Sequence, residues 1–246
     1  MDGLQPPLPS VVMRTMGIHS KFLVHWTGKK DIEIYPDDNI RAQKYFERLK
    51  DYYQNGLFLR RTTEQTIRHL NIDNLLRICF TQIRLSQAQT HADRYGKLGI
   101  GFKRDFIMNK GGRPVIYIPF KADKCLLEDS IRNIYNNSNE NQTIRSSIIW
   151  LFSYVKRMSD KNGDENYENY EEMEWRLVYD ERPNNKDFTE VKEDGTCRFK
   201  FTASDVKVIV FPDEKTKQMS FNDKCLQTFF SQHRPIFVTL DDCSNF

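Results

Sequence analysis

The chain has 246 residues, with 37 Lys plus Arg against 34 Asp plus Glu and a net charge of +3. That surplus is too small to draw in a polyanion by long-range attraction, so nucleic acid is permitted as a partner but not predicted. Hydrophobic, charged and aromatic fractions of 39%, 29% and 13% are those of a folding globular chain and exclude wholesale disorder.

In chain order, residues 1–20 carry Pro7 and Pro9 and lack the basic start and long apolar core of a signal peptide, so a flexible leader is expected. Phe22 to Trp26 is a short apolar strand. Asp37, Asp38 and Asn39 are good helix N-caps, and Tyr45, Phe46, Leu49, Tyr52 and Tyr53 recur at helical spacing until Asn55-Gly56 closes the helix. Gly56 to Arg60 is extended, Thr63-Glu64 opens a short helix or turn, and Leu75 to Ile83 reads as strand. Ser86 to Asp93, which carries His91, reads as a surface helix capped by Ser86. Strands follow at Lys97 to Phe102 and Pro114 to Pro119, separated by the turn Lys110-Gly111-Gly112-Arg113.

Lys124 to Met158 reads as helical, broken by the polar run NNSNENQT, and Ser159 to Glu171 as a solvated acidic loop. Strands resume at Trp175 to Tyr179, Arg198 to Phe201, Val206 to Phe211 and Ile236 to Leu240. A helix lies near Phe221 to Phe230, and Pro183-Asn184-Asn185 and Glu193-Asp194-Gly195 signal turns. Short strands with helices clustered between them predict an α+β fold with a mixed, mostly antiparallel sheet and flanking helices. One domain is expected over residues 21–246, with a helical insertion near 123–158.

No apolar run approaches the roughly 18 to 20 residues needed to span a bilayer, so no membrane partner is expected. Cys79, Cys125, Cys197, Cys225 and Cys243 are odd in number and lack CxxC or Cys/His spacing, which argues against a disulfide framework and a structural metal. A reducing cytoplasm is the expected home. Cys79 lies in the apolar run LLRICF, where burial raises a thiol pKa, so it is not expected to be a nucleophile.

His25 ends an apolar run and precedes Trp26-Thr27-Gly28, where the glycine lets a ligand approach the backbone closely. The alternative is a buried histidine satisfied by a backbone carbonyl. Glu172 and Glu174 are two apart in EMEWRLVY, so on a strand both carboxylates face one side, where they could bind a metal or divide acid/base work, although no third metal ligand stands at recognisable spacing. Arg176 could instead pair with one of them at the sheet surface. Tyr95 stands at a helix-to-strand turn, where its ring can stack on a flat ligand. Gly99 and Gly101 lack dinucleotide-fingerprint spacing and are expected to permit tight strand packing. The strands carrying His25, Gly99 to Phe102 and Glu174 are expected to meet at one concave site.

The blocks FTQIRLSQAQTHADRYGKLGIGF, GGRPVIYI, EMEWRLVY and VKVIVFPDEKTK resemble, in order, those of the AbiGi family of abortive-infection, phage-resistance proteins. The likeness runs over most of Lys21 to Phe246. That family is labelled an antitoxin, which implies a cognate toxin or phage protein as partner. More distantly, His25 in VHWTG, Asn55-Gly56-Leu57, Tyr95 and Glu174 fall in the order of the His-Tyr-Glu type of ADP-ribosyltransferases. This second resemblance implies an ADP-ribosyltransferase-like fold and NAD as cofactor. It implies that His25 anchors a ribose, that Tyr95 stacks on nicotinamide, and that Glu174 stabilises the developing cation. Thr27, Gly28 and Arg176 would complete the NAD site, with no metal. The alternative is a non-catalytic antitoxin or sensor that binds a toxin, nucleotide or phage component through the same cleft.

Overall fold

A computed structural model of the chain describes residues 21–61, 75–118, 126–138, 141–158, 169–179 and 186–245. The expected leader, the Thr63-Glu64 turn, Cys125, most of the acidic run and the Pro183-Asn184-Asn185 turn lie outside the described residues.

At the centre is β1 (Phe22–Thr27), an apolar strand covered on both faces. Along it lies β4 (Leu98–Lys103), antiparallel from Phe22↔Lys103 to Thr27↔Leu98. β10 (Val206–Phe211) continues the sheet antiparallel to β4, and β11 (Ile236–Thr239) lies parallel to β10. The glycines of β4 make this pairing fit. A Cβ on Gly99 would stand 2.9 Å from the Trp26 ring, and one on Gly101 would overlap Val208.

On the other side of β1 the sheet forks. β3 (Leu76–Thr81) meets β1 through one register pair, Val24↔Thr81, while its other edge is taken along Arg77 to Thr81 by β8 (Glu174–Val178). Where β1 leaves β3, β2 (Leu57–Arg61) takes up the vacated edge through Arg60↔Arg77 and Arg61↔Leu76. β9 (Cys197–Phe199) extends β2, and β5 (Arg113–Pro114) pairs with β8. Among the described residues the sheet is mixed and mostly antiparallel, in an α+β architecture as the sequence predicts.

One face is covered by α2 (Asp38–Asn55), whose Ala42, Tyr45, Leu49 and Tyr52 are buried at three- and four-residue spacing. Asp37 caps it by accepting from Asn39 N at 2.7 Å and Ile40 N at 3.0 Å. α7 (Glu214–Asn222) and α8 (Lys224–Gln232) pack beside α2. The opposite face carries α3 (Ala88–Tyr95) and α9 (Leu240–Cys243). Strand alternation feeds both cores, since Leu23 joins the first and Val24 and Trp26 the second.

Several elements differ from expectation. The polar stretch after Gly28 is a short helix, α1 (Lys29–Ile34), and α4 (Arg104–Asn109) follows β4 without an intervening loop. Ser86 lies inside a 3-10 turn (Leu85–Gln87) and is not the cap of α3, whose Ala88, His91 and Ala92 are buried. The strand expected at Pro114 to Pro119 divides between β5 and β6 (Ile116–Ile118). The helical stretch resolves into α5 (Leu126–Asn137) and α6 (Gln142–Phe152), but Val155 to Met158 is not helix. It forms β7 (Val155–Arg157), because β6 offers it a parallel partner. Ile118, Ile131, Phe152 and Val155 form a small core there. No helix among the described residues is long and apolar enough to cross a membrane.

Candidate functional site

Alternation along β3 and β8 builds the wall of a cleft. The register pairs Thr81↔Glu174 and Cys79↔Arg176 put Arg77, Cys79, Thr81, Glu174 and Arg176 on one face. Ile78, Phe80, Trp175 and Leu177 take the other face and join the main core. A cavity of about 290 Å³ lies against the polar face, at the fork between β1 and β3. A second, of about 220 Å³, adjoins it and shares His25, Trp26, Arg77, Cys79 and Tyr95 as lining.

The floor of the first cavity is an ionic cluster. Lys156 Nζ donates to Glu172 Oε2 at 2.7 Å and to Glu174 Oε2 at 2.9 Å. Arg176 Nε donates to Glu174 Oε1 at 2.7 Å, and its Nη1 donates to the carbonyls of Ser153 at 2.8 Å and Val155 at 3.2 Å. Tyr95 Oη donates to Glu172 Oε1, and Arg94 Nε stands 3.7 Å from the same oxygen. Burial by itself would raise the Glu174 pKa. The Arg176 and Lys156 charges outweigh it and hold the carboxyl well below the usual carboxylate range, so Glu174 is an anion at neutral pH.

Glu172 reaches this cluster by a different route from the one expected. It ends a 3-10 turn (Asn169–Glu172), and β8 begins only at Glu174. Met173 between them has φ +46°, a left-handed conformation that is unfavourable for a side chain of this kind. Both carboxylates nevertheless meet at one ammonium.

His25 has the backbone-carbonyl partner that one of the two alternatives expects, and it also borders the cleft. Its Nδ1 is 2.9 Å from the Cys79 carbonyl across the fork, and its ring lines both cavities. A carbonyl only accepts, so the proton is on Nδ1 and the lone pair on Nε2. Burial, with smaller contributions from the nearby Arg60 and Arg48 charges, lowers its pKa to about 4, so the imidazole is neutral at pH 7. Burial likewise pushes the Cys79 thiol up to about 12, which removes it as a nucleophile.

Thr27 and Gly28 line the second cavity, and Thr27 Oγ1 is 3.0 Å from Tyr52 Oη. Gly28 has φ +98°, and a Cβ there would overlap the Tyr45 ring, so packing against α2 is the reason for glycine at this position. The Tyr95 ring lines both cavities and lies 6.4 Å from the His91 ring at 25°. Gly99 to Phe102 do not join the site. They line neither cavity, and the β4 glycines serve strand packing instead.

Sequence reasoning missed Lys156, Arg77, Arg48, Arg60 and Tyr117, whose hydroxyl accepts from Glu174 N at 2.8 Å. Val155-Lys156-Arg157 is too short a stretch after α6 to mark a strand by itself, so no local signal placed Lys156. Among the described residues no group of three or more His, Cys, Asp or Glu side chains is placed to hold a metal ion.

A forked α+β sheet with a charge-lined cleft defines the architectural class. The family model described as "Putative abortive phage resistance protein AbiGi, antitoxin" matches residues 60–212, more than half of the chain, and the chain belongs to that family. The matched span includes Tyr95, Lys156, Glu172, Glu174 and Arg176, whereas His25, Thr27 and Gly28 precede it. No curated protein and no solved structure matches the chain.

Proposed function

We propose that this AbiGi-family protein acts in phage defence by binding NAD in the cleft at the fork and transferring its ADP-ribosyl group, with Glu174 as the catalytic carboxylate. The observation that carries this reading is that His25, Tyr95 and Glu174, from three separate elements, line one cavity of about 290 Å³. The two adjoining cavities offer aromatic walls with a few convergent polar groups, the character expected of a cofactor site.

Bound there, NAD would supply an ADP-ribosyl group: the bond between its nicotinamide nitrogen and the ribose C1′ would break with nicotinamide leaving, and a nucleophilic atom of an acceptor would bond to C1′ and give up its proton. His25 Nε2, kept unprotonated by the Nδ1 contact to Cys79, would accept from a ribose hydroxyl. Tyr95 would present its ring face to the nicotinamide, with its hydroxyl tethered to Glu172. Glu174 would offer fixed negative charge where positive charge develops at C1′, a form of stabilisation that needs no metal.

A second reading has its own support. Glu174 is engaged by both Arg176 and Lys156, so much of its charge is already compensated. That favours a non-catalytic antitoxin or sensor, which would hold a nucleotide, a cognate toxin or a phage component without turnover. Label transfer from NAD to cell extract separates the two. The enzymatic reading expects transfer by the wild type and loss with Glu174→Gln, alongside loss of phage protection. Absence of transfer by a folded wild-type protein, with protection intact in Glu174→Gln, leaves the binding role.

A further inference from the structure

The described residues between Ile116 and Arg157 build a small lobe beside the main sheet. β6 and β7 pair with each other as a separate two-stranded sheet. The lobe's core of Ile118, Ile131, Phe152 and Val155, with Tyr135 and Ile148 packed on it, is distinct from both cores of the main sheet. The contacts that tie the lobe to β8 and to the turn before it are polar. Arg176 Nη1 donates to the Ser153 and Val155 carbonyls, Glu174 N donates to Tyr117 Oη at 2.8 Å, and Lys156 Nζ donates to Glu172 and Glu174. Tyr154 Oη adds a bond to the Gly111 carbonyl at 3.3 Å.

The ionic floor of the first cavity is therefore also the seam of the lobe. A unit with its own core, joined to its neighbour through hydrogen bonds and ion pairs, opens at a lower free energy than the fold that carries it. Lys156 is the charge that the lobe brings to the cleft. Arg176 belongs to β8 and reaches Glu174 with Nε at 2.7 Å and Nη2 at 3.3 Å from within its own strand. Release of the lobe would thus take one positive charge away from the two carboxylates while Arg176 stays with Glu174 and Tyr95 with Glu172.

We propose that the lobe is an autoinhibitory element of the cleft. Docked, its Lys156 ammonium compensates Glu174 from inside the first cavity, at the oxygen that would otherwise face the positive charge developing at C1′. Released, it leaves that oxygen to the substrate. The proposal rests on the NAD reading for the reaction it restrains, and it assigns the compensated and the catalytic forms of Glu174 to two positions of one lobe. NAD carries a positive charge on its nicotinamide ring, so it meets less repulsion with Lys156 withdrawn, and a ligand shifts a two-state element toward the state that it binds better.

The test combines native-state hydrogen exchange of the full chain in rising urea with label transfer from NAD, for the wild type, Lys156→Met and Lys156→Arg. In the wild type, α6 and β7 amides should open at lower free energy than those of β1, β4 and β10, and saturating NAD should speed their exchange. Lys156→Met should exchange about ten-fold or more faster at α6 and β7 with β1, β4 and β10 unchanged, and should transfer label about ten-fold or more faster. Lys156→Arg, which keeps the charge, should stay near the wild type. Exchange of α6 and β7 only with the whole fold overturns the separate lobe. Exchange in the wild type that NAD slows or leaves unchanged overturns the inhibitory role, and needs no variant to fold. Label transfer by Lys156→Met equal to or slower than that of the wild type overturns the inhibition and leaves the NAD reading standing. No transfer by any of the three proteins overturns that reading and the inhibition with it.

Discussion

Arg176 lies two residues beyond Glu174 on β8, on the same face, and its Nε donates to Glu174 Oε1 at 2.7 Å, with both side chains almost wholly buried. Desolvating two charges is costly, and mutual attraction repays that cost only when the remaining donors are satisfied. The Ser153 and Val155 carbonyls take the other side of the guanidinium, and Lys156 takes the second carboxylate oxygen. Removing one member therefore strands the other.

Arg176→Ala should destabilise the fold by about 3–5 kcal/mol, the usual cost of breaking a buried pair. Glu174→Gln should cost less, because Lys156 retains Glu172. The double variant should cost less than the sum of the two by about 0.5–3 kcal/mol, as urea unfolding of the four proteins would reveal. Additive losses would mean that the two residues act independently.

Stability should fall on mild acidification. His25 and His91 both have folded pKa values lowered from 6.5 to about 4, chiefly by burial. For a base with a depressed folded pKa, the unfolded chain takes up the proton first. The stability is fully present above about pH 6.5 and is lost as pH falls towards 4. Around His25 stand Tyr52, Phe80, Arg60 and Arg48, and around His91 stand Tyr95, Arg94 and Lys156, so in both places the neighbouring cations oppose protonation. Glu174, a carboxyl with a depressed pKa, adds stability above its unfolded value near 4.5 that is lost below it. Urea midpoints should drop between about pH 7.5 and about pH 5. His91→Phe should flatten that slope without loss at neutral pH, because it removes a buried Nδ1 that has no hydrogen-bond partner among the described residues.

Substitution can separate the Tyr95 hydroxyl, which donates to Glu172, from the ring, which borders the cleft. Tyr95→Phe should cost about 1–3 kcal/mol in stability by removing a donor from buried Glu172, while keeping nucleotide affinity. Tyr95→Ala should lower that affinity about ten-fold or more if the ring forms a stacking wall. Equal affinity for both variants would remove the ring from the binding account.

Gly101→Ala should destabilise by roughly 1–3 kcal/mol, since the added methyl overlaps Val208 in the neighbouring strand. Nucleotide affinity should not change, because Gly101 lines neither cavity. A thermal melt and a binding titration of the same preparation check both halves.

Much of the scaffold was legible because long-range pairing agreed with local pattern. FLVHWT, LRICFT and VKVIVF read as strands and are strands, and the Tyr45, Leu49, Tyr52 spacing forms the helix that its caps predict. The short helices α1 and α4 were not legible, being six residues each with little apolar periodicity. Lys156 was lost because a strand of three residues following a helix exists only by virtue of its partner β6. His25 stood out as a polar group ending an apolar run, Tyr95 as an aromatic at a helix-to-strand turn, and Glu174 as one of two carboxylates spaced for one face of a strand. The fork that unites them was not readable, because it depends on β2 taking the edge that β1 leaves at β3.

The central claim is that the fork holds NAD through His25. Calorimetric titration of NAD into the wild type and into His25→Ala, with both shown to be folded by thermal melts, tests it most directly. The account predicts saturable one-to-one binding by the wild type that weakens about ten-fold or more in the variant, as expected when a hydrogen bond to a ribose hydroxyl is lost. No heat of binding with wild-type protein, or equal affinity in both proteins, would contradict it.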